Sequence, residues 1–382
     1  MSATPSTRDL HQSLLVVDTH VDTILRWIDL KHDLGGETSP GYMDIPKSRA
    51  GNFSAAFFAC CVEPEHVKRG EGGKRLAQLL NGVHDFCAHH SADVVLARTV
   101  DDVRAAHRHG KFAVLLAIEG AQGIGEDLSQ LMHFRDLGVS YISLSHFATN
   151  TWVDSSTDVT KHGGLSAVGK KAVAELNRLG IAVDVSHISD AAFWQVMELS
   201  SAPIIASHSS ARALVDHPRN LTDDMIAAIA KKNGLIGVTW WPEYISPQFC
   251  DDLEKRARAL IASDQGSKPG TTSAIATLLH YAGEDDESKY SILMDGSIRF
   301  PTLSDVADHI DHVVSVAGAD HVCIGTDHGA CNFEIQGLED CSKLSALTQV
   351  LVDRGYKPED IRAIMGENAL EFFQRVQVGG DR

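Results

Sequence analysis

A histidine and an aspartate two residues apart end the first apolar run of the chain. The run begins at Leu14 and passes through Val16 and Val17 to His20 and Asp22. On an extended backbone, side chains two apart point the same way, so His20 and Asp22 are expected to face a common point. An imidazole nitrogen beside a carboxylate oxygen suits a divalent ion such as zinc. Taken alone, such a pair is more often an ordinary polar cap of a strand, so its interpretation depends on the rest of the chain.

The same pattern, an apolar run that ends in a residue able to bind a metal, returns along the chain. The further ligand-type residues are Glu119, His146, His187, His208, Asp327 and His328. Chance would scatter the 20 histidines, but six of the eight predicted strands end in such a residue, and only the second and seventh do not. Five of these residues can hold two ions if one carboxylate bridges them, and Glu119 is the natural bridge. The five are His20, Asp22, Glu119, His187 and His208.

Eight strand-like runs alternate with amphipathic segments of helical spacing. The runs are 14–22, 54–62, 112–118, 139–145, 181–186, 203–207, 235–241 and 322–326. The segments between most of them are 74–89, 100–109, 128–137, 166–179, 191–199 and 222–232. Strands that are apolar on both faces and alternate with helices predict a parallel sheet, and eight such units predict a (β/α)₈ TIM barrel. Catalytic groups of such barrels lie at the C-terminal ends of the strands, where the ligand-type residues fall.

The 382 residues fit a single barrel domain, 1–382, with one insertion. The insertion covers 242–300, between the seventh and eighth strands, and contains a charged predicted helix, 251–261. A connection of that length is usually functional or interfacial. It is interpreted either as a cover over the barrel mouth, as a homodimer contact, or as a solvated surface excursion.

The composition excludes several classes of protein. A formal net charge of -17 argues against a nucleic-acid partner, which would need a basic patch. No stretch is apolar and long enough for a membrane span, and the first ten residues lack the regions of a signal peptide, which favours a cytoplasmic protein. The seven cysteines form no C-x-x-C pair, so Cys60, Cys61 and Cys323, which lie in apolar runs, are predicted to be reduced structural thiols.

Several motifs in the same order resemble the renal (membrane) dipeptidase family of dinuclear zinc metallopeptidases. The similarity runs from about Leu14 to the tail motif at 366–370, and 242–300 is the poorest match. The stretches that carry it are DTHVDT at 18–23, IEG at 118–120, DVSH at 184–187, SHSSAR at 207–212, HPRNL at 217–221 and GTD at 325–327.

The resemblance implies a (β/α)₈ barrel with two zinc ions per chain. One ion would lie on His20, Asp22 and Glu119, and the other on Glu119, His187 and His208. It also implies that His146 contacts the substrate and the tetrahedral oxyanion, that Asp327 handles protons, and that Arg219 holds the substrate's terminal carboxylate. Two departures from the family pattern concern the substrate end of the site. His146 is followed by Phe-Ala-Thr-Asn. Asp327 is followed by His328-Gly329, at positions where the family often has an aromatic residue and a second Asp.

The predicted function is therefore hydrolysis of dipeptides by a hydroxide that bridges two zinc ions. One alternative is a metal-dependent amidohydrolase acting on cyclic amides or esters, but such enzymes usually begin with His-x-His and bridge with a modified Lys, whereas this chain has His20-Val21-Asp22 and Glu119. Another alternative is a non-catalytic metal-binding scaffold, which loss of a ligand would support, and none is missing. The sequence assigns no role to His328.

Overall fold

Nine parallel strands form one sheet, and eight of them close into a barrel. The computed structural model describes residues 6–36, 41–263, 296–329 and 335–380. The strands are β1 (Val16–Val21), β2 (Phe53–Cys61), β3 (Val94–Leu96), β4 (Phe112–Glu119), β5 (Val139–Ser143), β6 (Ala182–Asp184), β7 (Ile205–Ala206), β8 (Leu235–Val238) and β9 (Val322–Ile324). The sheet runs β2-β1-β9-β8-β7-β6-β5-β4, and pairing of β2 with β4 closes it. The predicted (β/α)₈ barrel is confirmed.

One short strand was not predicted. β3 pairs with the first residues of β4, from Phe112 to Val114, and β5 takes over from Leu116. Because β2 pairs with the other edge of β4 along its whole length, β3 lies outside the closed barrel.

Side chains alternate between the barrel interior and the layer under the helices. Along β4, Ala113, Leu115 and Ala117 belong to the interior cluster, and Val114 and Leu116 to the outer one. Two-residue periodicity of this kind is what a parallel sheet covered on both faces requires. It places Glu119, the last residue of β4, on the interior face.

Helices cover the outside of the barrel, and the structure confirms the six that were predicted. Those of the described residues are α1 (Thr7–Gln12), α2 (Ile24–Ile28), α3 (Ile45–Ala50), α4 (Pro64–Lys68), α5 (Gly72–His89), α6 (Val100–Arg108), α7 (Gln130–Leu137), α8 (Ala167–Leu179), α9 (Asp190–Leu199), α10 (Asp223–Lys231), α11 (Pro242–Ile245), α12 (Pro247–Ser263), α13 (Leu303–Ala317), α14 (Ser345–Asp353), α15 (Pro358–Arg362) and α16 (Asn368–Gly379). Five helices, α1, α6, α8, α9 and α10, start after a hydroxyl that accepts a hydrogen bond from a backbone N–H three residues on. Such N-caps explain why these helices begin where they do.

An aromatic column fills the lower barrel. Phe373 of α16 stacks on Phe57 at 4.3 Å between ring centroids, Phe57 meets Tyr141 at 5.7 Å, and Tyr141 meets His20 at 6.3 Å. All four side chains are buried. The column therefore supports the first predicted ligand from below.

The predicted insertion 242–300 lies partly outside the described residues. Its described part begins with α11 and α12, and α12 contains the predicted helix 251–261. Arg299 anchors the return of the chain by donating to Asp252 on α12. Within the ranges that the structure describes, no helix is long and apolar enough to cross a bilayer.

Candidate metal centre

Glu119 lies at the middle of the predicted ligands. Its Oε1 is 3.0 Å from His187 Nε2, 3.4 Å from His208 Nε2 and 3.6 Å from His20 Nε2. The Glu119 side chain is only 3% exposed. The ends of β1, β6 and β7 thus place three imidazole nitrogens around the carboxylate that ends β4.

A bulge in β1 turns His20 into the barrel. Asp18 pairs with Ala56 of β2 and Val21 with Phe58, so β1 contains one extra residue over that interval. The extra residue breaks the alternation of the strand, and bulges beside active sites commonly re-aim a side chain in this way. His20 reaches the interior, where its Nδ1 lies 2.8 Å from the Tyr141 hydroxyl.

Two hydroxyl groups fix which nitrogen of two imidazoles faces Glu119. The Tyr141 hydroxyl donates its only hydrogen to Thr19 O, so it accepts from His20 Nδ1. The Ser207 hydroxyl donates to a carboxylate below it and accepts from His208 Nδ1 at 2.8 Å. In both imidazoles the Nε2 lone pair is left to bind a metal ion.

Asp18 ties the ends of β1 and β9 together. Its Oδ1 accepts hydrogen bonds from His20 N and Thr326 N, both at 3.0 Å, and its Oδ2 accepts from Thr326 Oγ1 at 2.6 Å. The carboxylate is fully buried. It holds the backbone N–H of the first ligand, His20, and the residue just before Asp327.

Asp184 makes the same arrangement between β6 and β7. Its Oδ1 accepts from Ser186 N at 3.0 Å and from Ser207 N at 2.9 Å, and its Oδ2 accepts from Ser207 Oγ at 2.6 Å. His187 and His208 each follow one of these bonded residues. Asp18 and Asp184 therefore act as two matched carboxylate clamps below the ligands.

Two residues of the centre have left-handed backbone conformations. The φ angle is 72° at His187 and 64° at Asp327. Such angles are uncommon for residues other than glycine and persist only where the surroundings impose them. They turn the chain sharply at the ends of β6 and β9 and point both side chains at the barrel mouth.

The buried polar atoms of this cluster fit a metal centre. His20 Nε2 and Asp22 Oδ1 are buried and find no hydrogen-bond partner. Burial lowers the pKa of His187 and of His208 well below the ordinary value, which leaves both imidazoles neutral, as metal ligands must be. Burial raises the pKa of Glu119, but the facing His146 and His20 outweigh it and hold that pKa well below the ordinary value.

His20 behaves differently because three carboxylates face it. Burial opposes its protonation, but Glu119, Asp22 and Asp327 together raise the pKa of His20 to about 10. In the metal-free chain this imidazole therefore carries a proton. A metal ion would supply the positive charge in its place, and its binding would release that proton.

Asp327 lies at the edge of the cluster. Its Oδ1 is 3.7 Å from His20 Nε2, and His20, Asp22 and Asp327 form one group with the spacing of metal ligands. Burial and the nearby Glu119 raise the pKa of Asp327 to about 7, although His20 opposes the shift. A carboxyl group with such a pKa can both accept and donate a proton near neutral pH.

Arg219 is buried beside the cluster without a carboxylate partner among the described residues. It is 2% exposed, donates from Nη2 to His208 O at 3.0 Å, and approaches Ser209 Oγ at 3.5 Å from Nη1. Its Nε finds no hydrogen-bond partner. A buried guanidinium of this kind is costly unless an anion completes it.

His146 and Cys61 line the rim of the centre. His146 Nε2 lies 3.9 Å from Glu119 Oε1, and its Nδ1 lies 3.5 Å from Cys61 Sγ. Cys61, predicted to be a reduced structural thiol, is a free thiol, and it brings a ligand-type atom to the end of the second strand, where none was expected. Cys61 is the last residue of β2 and pairs with Glu119, so both side chains point to the interior. The alternation of side chains along β2 was the sequence signal that could have placed Cys61 on the interior face.

His328 does not join the cluster. Its ring lies 3.9 Å from the Tyr42 ring and 5.6 Å from the Trp240 ring, and it is 5% exposed. Burial lowers the pKa of His328 to about 4. It is a neutral packing residue that follows Asp327.

Comparison with known proteins identifies the relatives of this chain. The sequence model of the membrane dipeptidase family, peptidase family M19, matches residues 5–381. The dipeptidase AclJ of Aspergillus oryzae is 32% identical over 345 residues, which cover 88% of this chain and 70% of that protein. Dipeptidase 3 of Homo sapiens is 28% identical over 397 residues, which cover 98% of this chain and 69% of that protein. The crystal structure of the probable dipeptidase PvdM from Pseudomonas aeruginosa superposes with a TM-score of 0.85 at 29% identity, covering 98% of each chain.

Proposed function

The chain belongs to the membrane dipeptidase family, peptidase family M19, and we propose that it is a dinuclear zinc dipeptidase that cleaves dipeptides by attack of a hydroxide bridging the two ions. Membership makes it a hydrolase of the metallopeptidase class. One observation carries the finer proposal: the carboxylate of Glu119 lies within 3.0–3.6 Å of three imidazole nitrogens from three other strands.

The donor set suits two zinc ions that share one carboxylate. His20 and Asp22 would hold one ion and His187 and His208 the other, with Glu119 between them, since paired ions about 3.5–4 Å apart need a common ligand. Two zinc ions would supply Lewis acidity and lower the pKa of the water between them toward neutrality.

Asp327 and His146 are the residues proposed to assist the reaction. Asp327, with its raised pKa, would take a proton from the attacking water and pass it to the leaving amine. His146 presents Nε2 to the centre from the rim, where it would contact the substrate and donate to the oxyanion of the tetrahedral intermediate.

Arg219 is proposed to bind the free carboxylate of the second residue of a dipeptide. Its fork of donors matches a carboxylate, and its burial without a carboxylate partner among the described residues supports an anionic ligand. A tripeptide would carry its carboxylate too far from this guanidinium. The site therefore favours dipeptides over longer chains.

Metal analysis combined with a dipeptide panel tests the proposal. Gently purified protein is expected to contain about two zinc ions per chain. It is also expected to hydrolyse dipeptides. A reproducible single ion with full activity would contradict the bridging role of Glu119, and turnover of cyclic amides without dipeptides would favour the amidohydrolase alternative.

Three further predictions from the sequence stand beside this proposal. They are a cytoplasmic location, a role for the 242–300 insertion, and a homodimer contact formed by that insertion. The net charge of -17 supports the absence of a nucleic-acid partner.

A further inference from the structure

Cys61 and His146 form a second group of ligand-type atoms at the rim of the proposed zinc centre. Cys61 Sγ lies 3.5 Å from His146 Nδ1, and the other ring nitrogen, Nε2, lies 3.9 Å from Glu119 Oε1. Cys61, Glu119 and His146 each offer a ligand atom, and these atoms lie within 4.8 Å of one another. The mechanism proposed above uses Nε2 of His146 and does not use the thiol.

We propose that Cys61 and His146 Nδ1, with Glu119 as a third ligand, bind an additional thiophilic divalent ion such as Zn²⁺ or Cd²⁺. In a tetrahedral zinc site, bonds of about 2.3 Å to sulfur and about 2.1 Å to nitrogen place the two ligand atoms about 3.6 Å apart. The observed separation of 3.5 Å, at which the thiol and the imidazole are hydrogen-bonded in the metal-free chain, is close to that value.

The surroundings of the pair suit an ion that enters from solvent. Cys61 is 8% exposed, whereas the His146 side chain is 20% exposed and faces the barrel mouth. On binding, the thiol would lose its proton to solvent and the thiolate would bind the ion.

An ion at this position inhibits the enzyme. This consequence rests on the proposed function, because it requires His146 and Glu119 to act in dipeptide hydrolysis. The ion would fix the His146 ring through Nδ1 and draw on the Glu119 carboxylate, so neither group could adjust to a substrate. Excess zinc would then lower the activity that two zinc ions support.

Absorption spectroscopy tests the binding without any assay of activity. Zinc-loaded protein is titrated with Cd²⁺, and the ultraviolet sulfur-to-cadmium charge-transfer band is followed in wild type, Cys61→Ser and Cys250→Ser. The five proposed ligands of the main centre contain no sulfur, so the band reports a cysteine. Cys250 is a half-buried thiol that donates to Glu243 O, a bond that serine can also make, which makes Cys250→Ser the matched control.

The band is expected in wild type and in Cys250→Ser and is expected to be lost in Cys61→Ser. Its absence from wild type, or its persistence in Cys61→Ser, would overturn the proposed site. Cys61→Ala gives the same comparison if the serine variant misfolds, which thermal unfolding would show.

Inhibition by added zinc is the second measurement. Each variant is compared with its own activity before the addition, and Cys61→Ser is expected to need at least about tenfold more zinc for half-inhibition than wild type. Equal sensitivity of the two proteins would refute an inhibitory ion at Cys61. If no protein hydrolysed dipeptides, the proposed function would fail, while the cadmium band would still decide whether the site exists.

Discussion

The carboxylate that Arg219 is proposed to bind can be tested with three substrates and two variants. The substrates are a dipeptide, its C-terminal amide and the matching tripeptide. The variants are Arg219→Lys and the control Arg212→Lys. Arg212 lies on the same segment but already forms two hydrogen bonds with Asp190, at 2.7 and 2.8 Å, so it has no fork to offer a substrate.

The size of the effect follows from the contacts of Arg219. The guanidinium has one firm bond, to His208 O at 3.0 Å, and its Nε is unpartnered in the interior. A bound carboxylate would add two charge-assisted hydrogen bonds, each contributing about 1.5–3 kcal/mol. Allowing for imperfect geometry, we expect wild type to prefer the dipeptide over its amide by at least about 10²-fold in kcat/KM, or about 2.7 kcal/mol.

Lysine at 219 keeps the charge and loses the planar pair of donors. We expect Arg219→Lys to raise KM for the dipeptide more than it lowers kcat, because a carboxylate remote from the reacting bond contributes to ground-state and transition-state binding alike. Arg212→Lys, which weakens the hydrogen bonds of Arg212 to Pro218 O and Asn220 O, should still keep the preference of wild type for the dipeptide over its amide. Equal kcat/KM of wild type for the dipeptide and its amide would refute the reasoning and favour the amidohydrolase alternative.

Substitutions at three further positions test the centre and its support. Glu119→Gln should abolish dipeptide hydrolysis while the circular dichroism spectrum stays native, because the packed barrel core lies below the ligands; a variant with wild-type kcat would contradict the bridging role. Asp327→Asn should lower kcat by about 10²-fold or more with zinc content kept, and loss of zinc in step with activity would make Asp327 a ligand. Asp184→Ala should lower zinc occupancy and stability, by about 1–3 kcal/mol for each of the Ser186 and Ser207 N–H groups left without an acceptor. Asp184→Asn, which keeps an acceptor oxygen, should lose much less, and identical metal content and thermal midpoints in all three proteins would show that this carboxylate is no clamp.

The cluster of ligand-type residues could be predicted from the sequence because a barrel brings the ends of strands that are distant in the chain together in space. Each strand end meets the others at one face, so a residue type repeated at strand ends predicts a cluster without knowledge of any contact. The two-residue alternation of a strand also predicts which way one side chain points. Glu119 continues the series Ala113, Leu115 and Ala117 of β4, whose side chains face the barrel interior.

The features that position the ligand-type residues could not be predicted from the sequence in the same way. Simple alternation places His20 on the same side as Asp18, but the bulge in β1 separates them, and nothing in the sequence marks the extra residue. Tyr141 and Ser207 have no special spacing either. Tyr141 bonds to His20, 121 positions away, and Ser207 is oriented by Asp184, 23 positions away, so both roles depend on how the strands register in the closed barrel.

The burial of like charges at the barrel mouth suits this cluster to binding metal ions. Asp22, Glu119 and Asp327 face one another in a buried site, where burial and Glu119 raise the pKa of both Asp22 and Asp327 and Asp327 adds to the shift at Asp22. In the metal-free chain a protonated His20 offsets part of this charge, at the expense of its own lone pair. The two proposed ions would replace that proton and neutralise the carboxylates, so the groups that repel one another in the metal-free chain are those that would bind the ions. Because such ions would bind the folded chain, the same carboxylates would couple metal binding to the free energy of unfolding.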